Sequence, residues 1–366
     1  MKIRAAVSRE GEAAPVIEDV ELGEPLPGEM LVRIVAAGIC HTDIRTHAVG
    51  GWGSPKPIVL GHEGAGIVER VGANITRFKP GDRVVLSGTS CGACPSCIDN
   101  LPTYCREAVP RMFAGRRSDG STALSQNGER LAGHFFGQSS FATYALAEER
   151  SAVPVPDDVP LDVVAPMGCG IITGAGSVFY SFALRPGQSI AVFGAGSVGL
   201  SAIMAARLCG AHQIIAVDPV TERRALAEEL GATASIDPAG GEVAAAVRAL
   251  VADGVSFSFN TTSVPDVYET AVQVLATRGT AGFVTRPEGD WPAPMTTLLA
   301  GGRGLRGIIG GDAVPQIAIP MMIDYWRQGR FPVDRLIRHY AFDAIGEAFD
   351  DCHHGRSIKP VLEMPA

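Results

Sequence analysis

The chain has 366 residues, of which 46% are apolar and 19% charged, which excludes a disordered protein and allows two domains. Its net charge of −8 excludes a broad cationic surface for nucleic acid or an anionic membrane. The N-terminal segment lacks the apolar core of a secretory signal, so we expect a cytoplasmic protein whose cysteines stay reduced.

Short β-strand patterns dominate the first part of the chain. Runs such as KIRAAVS, EMLVRIVAAGI, GAGIVERVG and DRVVLSG carry branched residues and are broken by Gly and Pro. Such spacing predicts a compact barrel-like or sandwich domain with functional loops.

Near residue 170 the pattern changes to buried strands that alternate with amphipathic helices. SIAVFGAG predicts a strand and a glycine turn, SVGLSAIMAARLCGA a helix, QIIAVDP a second strand and TERRALAEELGA a second helix. This alternation predicts an α/β fold with a parallel sheet built from βαβ units, continuing to about residue 309. The remaining residues return to mixed character, so we expect segments 1–170, 171–309 and 310–366.

Residues 186–206 are uncharged over a length that could span a bilayer. Pro186, the serines and the glycine cluster favour a buried strand, turn and helix over one continuous membrane helix. We therefore expect no membrane partner.

The segment FGAGSVGL has the G-x-G-x-x-G spacing of a dinucleotide-binding turn between a strand and a helix. In this geometry Gly194 makes the tight turn, Gly196 lets the backbone approach a pyrophosphate, and Gly199 lets helix and strand pack closely. The N–H groups of Ser197 and Val198 at the start of the helix would bind the phosphates. The alternative is a glycine-rich turn of an α/β fold that binds another ligand.

Asp218 ends the next strand, nineteen residues after Gly199, where a carboxylate accepts hydrogen bonds from the adenosine ribose. A carboxylate there also repels a 2′-phosphate, which favours NAD over NADP. Arg223 lies close in sequence and could offset part of that repulsion, so the degree of preference stays open.

The segment CGACPSCIDNLPTYC contains four of the eight cysteines, with two, two and seven residues between them. Thiolates at such gaps can enclose one tetrahedral Zn²⁺ with no position left for a substrate, so we expect a structural site. One alternative is a pair of disulfides, which a reducing compartment disfavours. The other is a zinc-ribbon reader of nucleic acid, which the acidic net charge disfavours.

An open metal site must come from other residues, found in GICHTD at 38–43, GHEGAG at 61–66 and GCG at 168–170. Cys40, His62 and Cys169 would supply two thiolates and one imidazole and leave the fourth position for water, alcohol or aldehyde. Glu63 would be a transient ligand or a nearby carboxylate, and Asp43 would accept a hydrogen bond from the imidazole. Each residue alone could equally be a buried core residue; their joint occurrence favours the metal site.

Together these motifs and the terminal SIKPVL resemble the zinc-dependent medium-chain alcohol dehydrogenases from end to end. The stretches GHFFGQSSFATYAL and MGCGIITGAGSV look most like the NAD-dependent aryl-alcohol (benzyl alcohol) dehydrogenases. The resemblance implies a GroES-like catalytic domain from residues 1–170 and 310–366, an inserted Rossmann domain at 171–309, and an active site in the cleft between them. It also implies a homodimer or homotetramer.

The resemblance assigns roles to individual residues. Cys40, His62 and Cys169 become ligands of a catalytic zinc, and Glu63 the carboxylate that can exchange onto it. Thr42 becomes the hydroxyl that takes the alcohol proton. The other implied roles are structural-zinc ligation by Cys91, Cys94, Cys97 and Cys105, pyrophosphate contact by His41 and Lys359, and a place near the adenosine ribose for Arg223.

The resemblance thus implies two Zn²⁺ and NAD, with zinc lowering the pKa of the alcohol and hydride passing to the nicotinamide. Two positions depart from the family pattern. Arg45 replaces the histidine that often ends the proton relay, so the relay would run through His47 or directly to water. Ser87, beside Gly88, replaces an aromatic pocket residue, which predicts a roomier pocket for a benzylic or terpenoid alcohol.

The leading interpretation is NAD-dependent, reversible oxidation of a primary aromatic or allylic alcohol to its aldehyde. A second is oxidation of the glutathione adduct of formaldehyde, whose carboxylates would need cations such as Arg111 and Arg116. A third is a non-catalytic protein that binds zinc and nucleotide.

Overall fold

The structure is a computed structural model that describes residues 1–365. Strands occur along most of the chain, and their bounds position every site described below. In chain order they are β1 (Lys2–Ser8), β2 (Val16–Leu22), β3 (Glu29–Gly38), β4 (Ile58–Val59), β5 (Gly64–Val71), β6 (Arg83–Leu86), β7 (Leu124–Gln126), β8 (Glu129–Leu131), β9 (Tyr144–Glu148), β10 (Ala152–Pro154), β11 (Ser189–Phe193), β12 (Gln213–Val217), β13 (Ala234–Ile236), β14 (Val255–Asn260), β15 (Leu275–Phe283), β16 (Gly304–Gly307), β17 (Ile337–Ala341) and β18 (Lys359–Glu363).

The α-helices lie mostly in the second half of the chain, and the longest have 12 and 13 residues. In chain order they are α1 (His41–Val49), α2 (Pro95–Ile98), α3 (Ala108–Phe113), α4 (Leu161–Val164), α5 (Gly170–Gly176), α6 (Ser197–Leu208), α7 (Thr221–Leu230), α8 (Val243–Leu250), α9 (Pro265–Gln273), α10 (Met295–Gly301), α11 (Pro315–Arg327) and α12 (Ile345–His353).

The chain divides into two compact units. The first comprises Met1–Gly170, Val314–Asp324 and the residues from Val333 onward, and the second comprises Ile171–Ala313 and Tyr325–Pro332. This division differs from the segments expected from the sequence at residues 310–313 and 325–332, which were expected in the catalytic domain and belong to the second unit.

The first unit is built from two largely antiparallel sheets. Their strand orders are β4-β1-β2-β7-β8 and β10-β6-β5-β3-β18-β17, and β9 also pairs with β3. Apolar side chains from both sheets are buried in cores that include Phe135, Phe141 and Phe342. The C-terminal strand β18 runs antiparallel to β3, with Val361 opposite Gly38. Lys359, at the start of β18, therefore lies beside the residues that directly follow β3, which include Ile39 and Cys40.

The second unit contains one parallel sheet of six strands in the order β13-β12-β11-β14-β15-β16. The central strands β11 and β12 are mostly apolar, and β11 is buried at every residue, as expected when helices cover both faces of a parallel sheet. The order reverses between β11 and β14, which makes their carboxyl ends the place where such folds bind nucleotides. The predicted fold, a Rossmann domain inserted in a β-rich GroES-like domain, is confirmed.

The uncharged stretch 186–206 forms β11, a glycine turn and the beginning of α6, as the sequence predicted. Within residues 1–365 no single helix is long and apolar enough to cross a membrane, and the helices Leu161–Gly168 and Gly170–Ser181 reach that length only as a bent pair.

Candidate active site and metal centres

Three separate segments of the first unit bring one group of metal-binding side chains together. Cys40 precedes α1, His62 and Glu63 lie between β4 and β5, and Cys169 follows the short helix Ala165–Gly168. One ligand atom from each of these four residues lies within 4.8 Å of all the others. The predicted open site is therefore assembled as a single buried cluster, here called the catalytic cluster.

Asp43 connects the segment that carries Cys40 with the segment that carries His62. Its Oδ1 accepts hydrogen bonds from His62 Nδ1 at 2.9 Å and from the backbone N–H of Gly61 at 3.1 Å. Its Oδ2 accepts one from the N–H of Cys40 at 3.0 Å. Burial acts to lower the pKa of His62, but the charge and hydrogen bond of Asp43 leave that pKa well raised. The hydrogen bond to Asp43 fixes a proton on Nδ1, so a metal ion would compete with the second proton for the lone pair of Nε2.

The catalytic cluster fits a zinc ion by its own chemistry. Among the described residues, His62 Nε2 is a buried polar atom with no hydrogen-bond partner, which is costly unless something binds it. The Sγ atoms of Cys40 and Cys169 lie within 4.8 Å of a ring nitrogen of His62. Two sulfurs and one imidazole nitrogen are the donors of an open zinc site. Cys40, His62 and Cys169 would hold the ion.

Glu63 and Lys359 form a fully buried ion pair behind the catalytic cluster, with side-chain exposures of 0% and 2%. Lys359 Nζ lies 2.9 and 3.1 Å from the two carboxylate oxygens and 3.1 Å from the carbonyl oxygen of Ile39. Glu63 also accepts a hydrogen bond from the N–H of Gly170 at 2.9 Å. The pair thus links β18 to all three ligand-bearing segments.

The protonation of this pair follows from its surroundings. Burial raises the pKa of Glu63, although the positive charge of Lys359 acts in the opposite direction. Burial acts to lower the pKa of Lys359, but the charges of Glu63 and Cys40 outweigh it and leave that pKa raised. The three acceptors equal the three protons of an ammonium group. Contact of Lys359 with a pyrophosphate stays a prediction, and its role at Glu63 was missed from the sequence.

Gln138 is a second residue that sequence reasoning missed. Its side chain is 2% exposed, its Nε2 donates to the carbonyl oxygen of His62 at 3.0 Å, and its Oε1 accepts from the N–H of Gly64 at 3.0 Å. It therefore fixes the backbone on both sides of Glu63. Its neighbours in sequence gave no signal, because the contact spans more than seventy residues.

Four aromatic residues extend from the catalytic cluster toward the surface, and we call them the aromatic cluster. Phe136 stacks on His62 with ring centroids 4.4 Å apart, and Phe135 meets the same ring edge-on at 5.6 Å. Phe113 contacts both phenylalanines, and its centroid lies 5.9 Å from that of Trp52, which is 72% exposed. The sequence stretch GHFFGQSS contributed to the resemblance, but its contact with His62 was not predicted.

The predicted proton relay has one member at the cluster and one that is engaged elsewhere. Thr42 Oγ1 lies 3.8 Å from Cys40 Sγ, which places the hydroxyl beside the site. His47 is buried, with Nδ1 2.7 Å from Ser8 Oγ and Nε2 3.0 Å from the carbonyl oxygen of Glu12. Burial lowers the pKa of His47. Arg45 and His41 are exposed at the surface of α1.

Ser87 and Gly88, expected to widen the pocket, lie at the end of β6. Ser87 is buried and its hydroxyl donates to the carbonyl oxygen of Gly168 at 2.7 Å, so it supports the segment that carries Cys169. A Cβ on Gly88 would lie 2.9 Å from Cε of Met112, which therefore fills part of the space beside it.

The four cysteines of 91–105 form the second cluster, here called the cysteine lobe. All are free thiols, and their sulfurs lie within 4.8 Å of one another, so the disulfide alternative does not hold. Backbone N–H groups point at the sulfurs: Cys94 N donates to Cys91 at 3.3 Å and Cys91 N donates to Cys105 at 3.2 Å. N–H groups of Arg106 and Cys97 lower the pKa of Cys94 to about 6, whereas burial raises that of Cys105 to about 11. Four sulfurs in this arrangement fit a closed zinc site.

The glycine turn of the second unit has the geometry that dinucleotide binding requires. Gly194 has φ of +90°, and a Cβ on Gly199 would lie 1.8 Å from the carbonyl oxygen of Gly194. Gly196 precedes α6, which begins at Ser197. The first N–H groups of α6, including that of Val198, therefore face the glycine turn, because no earlier turn of the same helix supplies carbonyl groups for them.

Asp218 closes this turn from the end of β12. Its Oδ2 accepts from the N–H of Ala195 at 2.7 Å, and its Oδ1 accepts from the N–H of Val220 at 2.8 Å. Arg224 donates to the carbonyl oxygen of Asp218 at 2.7 Å and pairs with Asp237 at 3.0 Å. Arg224 was not anticipated, although it follows the predicted Arg223 directly.

Comparison with known proteins places these features in a family. Residues 26–157 match the alcohol dehydrogenase GroES-like domain, and residues 197–324 match the zinc-binding dehydrogenase family. The chain is 46% identical to geraniol dehydrogenase of Castellaniella defragrans over 363 residues, which covers 98% of this chain and 97% of that protein.

Two solved structures have nearly the same fold over 100% of both chains. One is an alcohol dehydrogenase zinc-binding domain protein from Burkholderia ambifaria, with a TM-score of 0.97 and 45% identity. The other is benzyl alcohol dehydrogenase from Acinetobacter calcoaceticus, with a TM-score of 0.96 and 39% identity.

Proposed function

The chain belongs to the zinc-binding alcohol dehydrogenase family, and on that premise we propose that it oxidises primary allylic or benzylic alcohols reversibly to aldehydes with NAD. The observation that carries the proposal is the catalytic cluster, in which Cys40, His62 and Cys169 converge and His62 Nε2 remains without a hydrogen-bond partner among the described residues. This donor set leaves room for a substrate, whereas the cysteine lobe does not.

A zinc ion bound there supplies Lewis-acid chemistry that favours loss of the alcohol proton. The residues of the chain supply the rest. Asp43 keeps the imidazole of His62 oriented, and Lys359 holds the carboxylate of Glu63. Thr42 is the hydroxyl that would receive the alcohol proton and pass it outward. Because His47 is engaged with Ser8 and Glu12, we propose that the proton leaves Thr42 to water.

The substrate class follows from the similar proteins and from the aromatic cluster. Geraniol and benzyl alcohol, the substrates in the names of two relatives, both carry the reacting carbon next to a π system. Phe136, which stacks on His62, and Trp52, which follows it through Phe113, offer flat apolar faces on which such a π system can stack. This supports allylic and benzylic alcohols over saturated ones.

The test is NADH formation with size-matched pairs of alcohols: geraniol with its saturated analogue, and benzyl alcohol with cyclohexylmethanol. We expect kcat/KM to be about tenfold higher for the unsaturated member of each pair. Phe136→Leu should narrow that ratio while the metal content stays constant. Equal or higher kcat/KM for the saturated members would contradict the substrate class, and no turnover of any alcohol would contradict the activity.

For the cofactor, we propose a preference for NAD over NADP. Asp218 is buried at the end of β12 with both oxygens bound to backbone N–H groups, so its charge is fixed where a 2′-phosphate would approach. Arg224 is engaged with Asp218 and Asp237, which leaves less positive charge to offset it. Comparison of kcat/KM for the two cofactors tests the proposal, and a ratio of one or below would overturn it.

The glutathione alternative has less support. Arg111, one of its two proposed cations, is paired with Glu107 and Glu148 at 2.9 and 3.1 Å, so its charge is already balanced. Turnover of formaldehyde only in the presence of glutathione would favour the glutathione adduct as the substrate over allylic and benzylic alcohols. A cytoplasmic location and a homodimeric or homotetrameric assembly remain our predictions.

A further inference from the structure

Both ends of the cysteine lobe are attached to a single carboxylate on β9. On the entering side, Thr89 Oγ1 donates to Glu148 Oε2 at 2.7 Å. On the leaving side, Arg111 donates from Nη1 to Glu148 Oε1 at 3.1 Å and from Nε to Glu107 Oε2 at 2.9 Å. The two oxygens of Glu148 therefore each bind a different end of the lobe.

A second arginine lies against the first turn of the lobe. Arg150 Nη1 donates to the carbonyl oxygen of Ser90 at 3.2 Å, with Ser90 Oγ at 3.4 Å. Gly92 has φ of +74°, and a Cβ there would lie 1.8 Å from Nη1 of Arg150, so the guanidinium covers the turn between the first two cysteines. The carbonyl oxygen of Arg150 accepts from Gln316 Nε2 at 2.5 Å, which anchors this arginine to α11.

These contacts matter for metal retention because a four-thiolate site loses its ion by opening in steps. Cys91 lies near the entering end of the lobe and Cys105 near the leaving end, so movement of either end withdraws a ligand. Four thiolates around one divalent ion also carry net negative charge, which the guanidinium group of Arg150 offsets. Arg111 is only 17% exposed, so water screens its ion pairs with Glu107 and Glu148 less than those of a surface arginine.

We propose that Glu148 and Arg111 form a latch, supported by Arg150, that keeps both ends of the cysteine lobe in place and slows release of its metal ion. The latch residues are positioning residues, because they act through the cysteines and touch neither substrate nor cofactor. The proposal does not depend on which alcohol the protein oxidises.

The experiment uses the full-length protein loaded with cobalt at both sites. A four-thiolate cobalt site has stronger sulfur-to-metal charge-transfer absorption than a two-thiolate site, so the two ions can be followed separately during removal by a chelator. The variants are Arg111→Met, Glu148→Gln, their combination, Arg111→Lys and Arg150→Met. Arg116→Met is the matched control, since Arg116 is an exposed arginine of the same segment.

In Arg111→Met and Glu148→Gln, loss of the four-thiolate signal should be about tenfold faster, the size expected for removal of a charge-assisted hydrogen bond. The double variant should be no faster than either single one, because the two residues act as one unit. Arg111→Lys should recover part of the effect, and Arg150→Met should show a smaller acceleration. The two-thiolate signal and the Arg116→Met control should match the wild type.

The latch is overturned if the four-thiolate signal decays at the wild-type rate in both single variants, or if both signals accelerate equally, which indicates general destabilisation. Additive effects in the double variant, or a wild-type protein without a four-thiolate signal, also overturn it. Should Arg111→Met not fold, Glu148→Gln and Arg150→Met carry the same test.

Discussion

The catalytic cluster and the cysteine lobe solve the problem of metal binding in opposite ways. The lobe takes all four donors from fifteen consecutive residues, and its sulfurs accept hydrogen bonds from the N–H groups of the same segment. The catalytic cluster takes its donors from three distant segments. Its geometry depends on Asp43, which joins segments 19 residues apart, and on Gln138 and Lys359, whose partners lie 76 and 296 residues away in sequence.

This difference indicates which site tolerates change. A local site is defined by spacing, so a single substitution outside it has little effect unless it touches an anchor such as Glu148. A dispersed site holds buried charge that only distant residues balance, so loss of one remote partner leaves a buried charge without compensation. The predictions for Lys359 and Asp43 below exploit that contrast.

The largest effect is expected for Lys359→Met. It leaves the buried carboxylate of Glu63 with the N–H of Gly170 but without its ammonium partner. Breaking a buried ion pair costs about 3–5 kcal/mol, so the free energy of unfolding should fall by that amount. The metal of the catalytic cluster should be lost, whereas the metal of the cysteine lobe should remain. Urea unfolding and metal analysis measure the two effects.

Lys359→Arg, which retains the charge, should recover part of the stability, and Lys79→Met is the control for loss of an exposed lysine. Unchanged stability in Lys359→Met would show that the ion pair does not support the catalytic cluster.

Acid should weaken the first unit through His134, a half-buried residue that directly precedes Phe135. Burial lowers the pKa of His134 from 6.5 to about 4, and its nearest charged groups, Glu29, Arg117 and Asp119, have smaller effects. Between those two pH values the unfolded chain binds a proton that the folded chain does not, so stability falls as the pH is lowered through this window. The loss from this residue is at most about 3 kcal/mol.

The measurement is the free energy of unfolding against pH for the wild type and His134→Asn. Asn suits the position because His134 has φ of +55°, which asparagine tolerates better than most residues. The variant should show a shallower decline between pH 6.5 and 4. Parallel curves would mean that His134 is not buried as a neutral group.

Asp43→Asn should act on one metal site only. The amide keeps the shape of the side chain but removes the charge that orients and polarises His62. Substitutions of this kind lower metal affinity about 10–100-fold. Competition with a chelator should show this loss at the catalytic cluster and no change at the cysteine lobe. An equal loss at both sites would indicate a general change in the fold.

The sequence predicted the local features of this protein well. The four-cysteine spacing, the glycine turn of FGAGSVGL and the alternation of strands and helices after residue 170 all depend on residues close together in the chain. Such patterns are readable because ligand geometry and backbone conformation act over a few residues. The ligands of the catalytic cluster were also found, because two cysteines and a histidine occur together in the short motifs GICHTD, GHEGAG and GCG.

The supporting residues were not readable in this way. Gln138 and Lys359 lie in segments without any metal-binding spacing, and Phe136 contacts His62 only because a loop of the first unit folds back over it. Arg111 was considered as a cation for glutathione, but its partners Glu107 and Glu148 give it a place at the cysteine lobe instead.

The sequence by itself determined the fold class, the dinucleotide turn and both sets of metal-binding side chains, because these depend on spacing, residue type and periodicity along the chain. The tertiary structure alone decided which residues support them. The antiparallel pairing of β18 with β3 brings Lys359 to Glu63, 296 residues earlier in the chain, and no local pattern specifies such a pairing. The charge balance of a buried site is set by these long-range contacts.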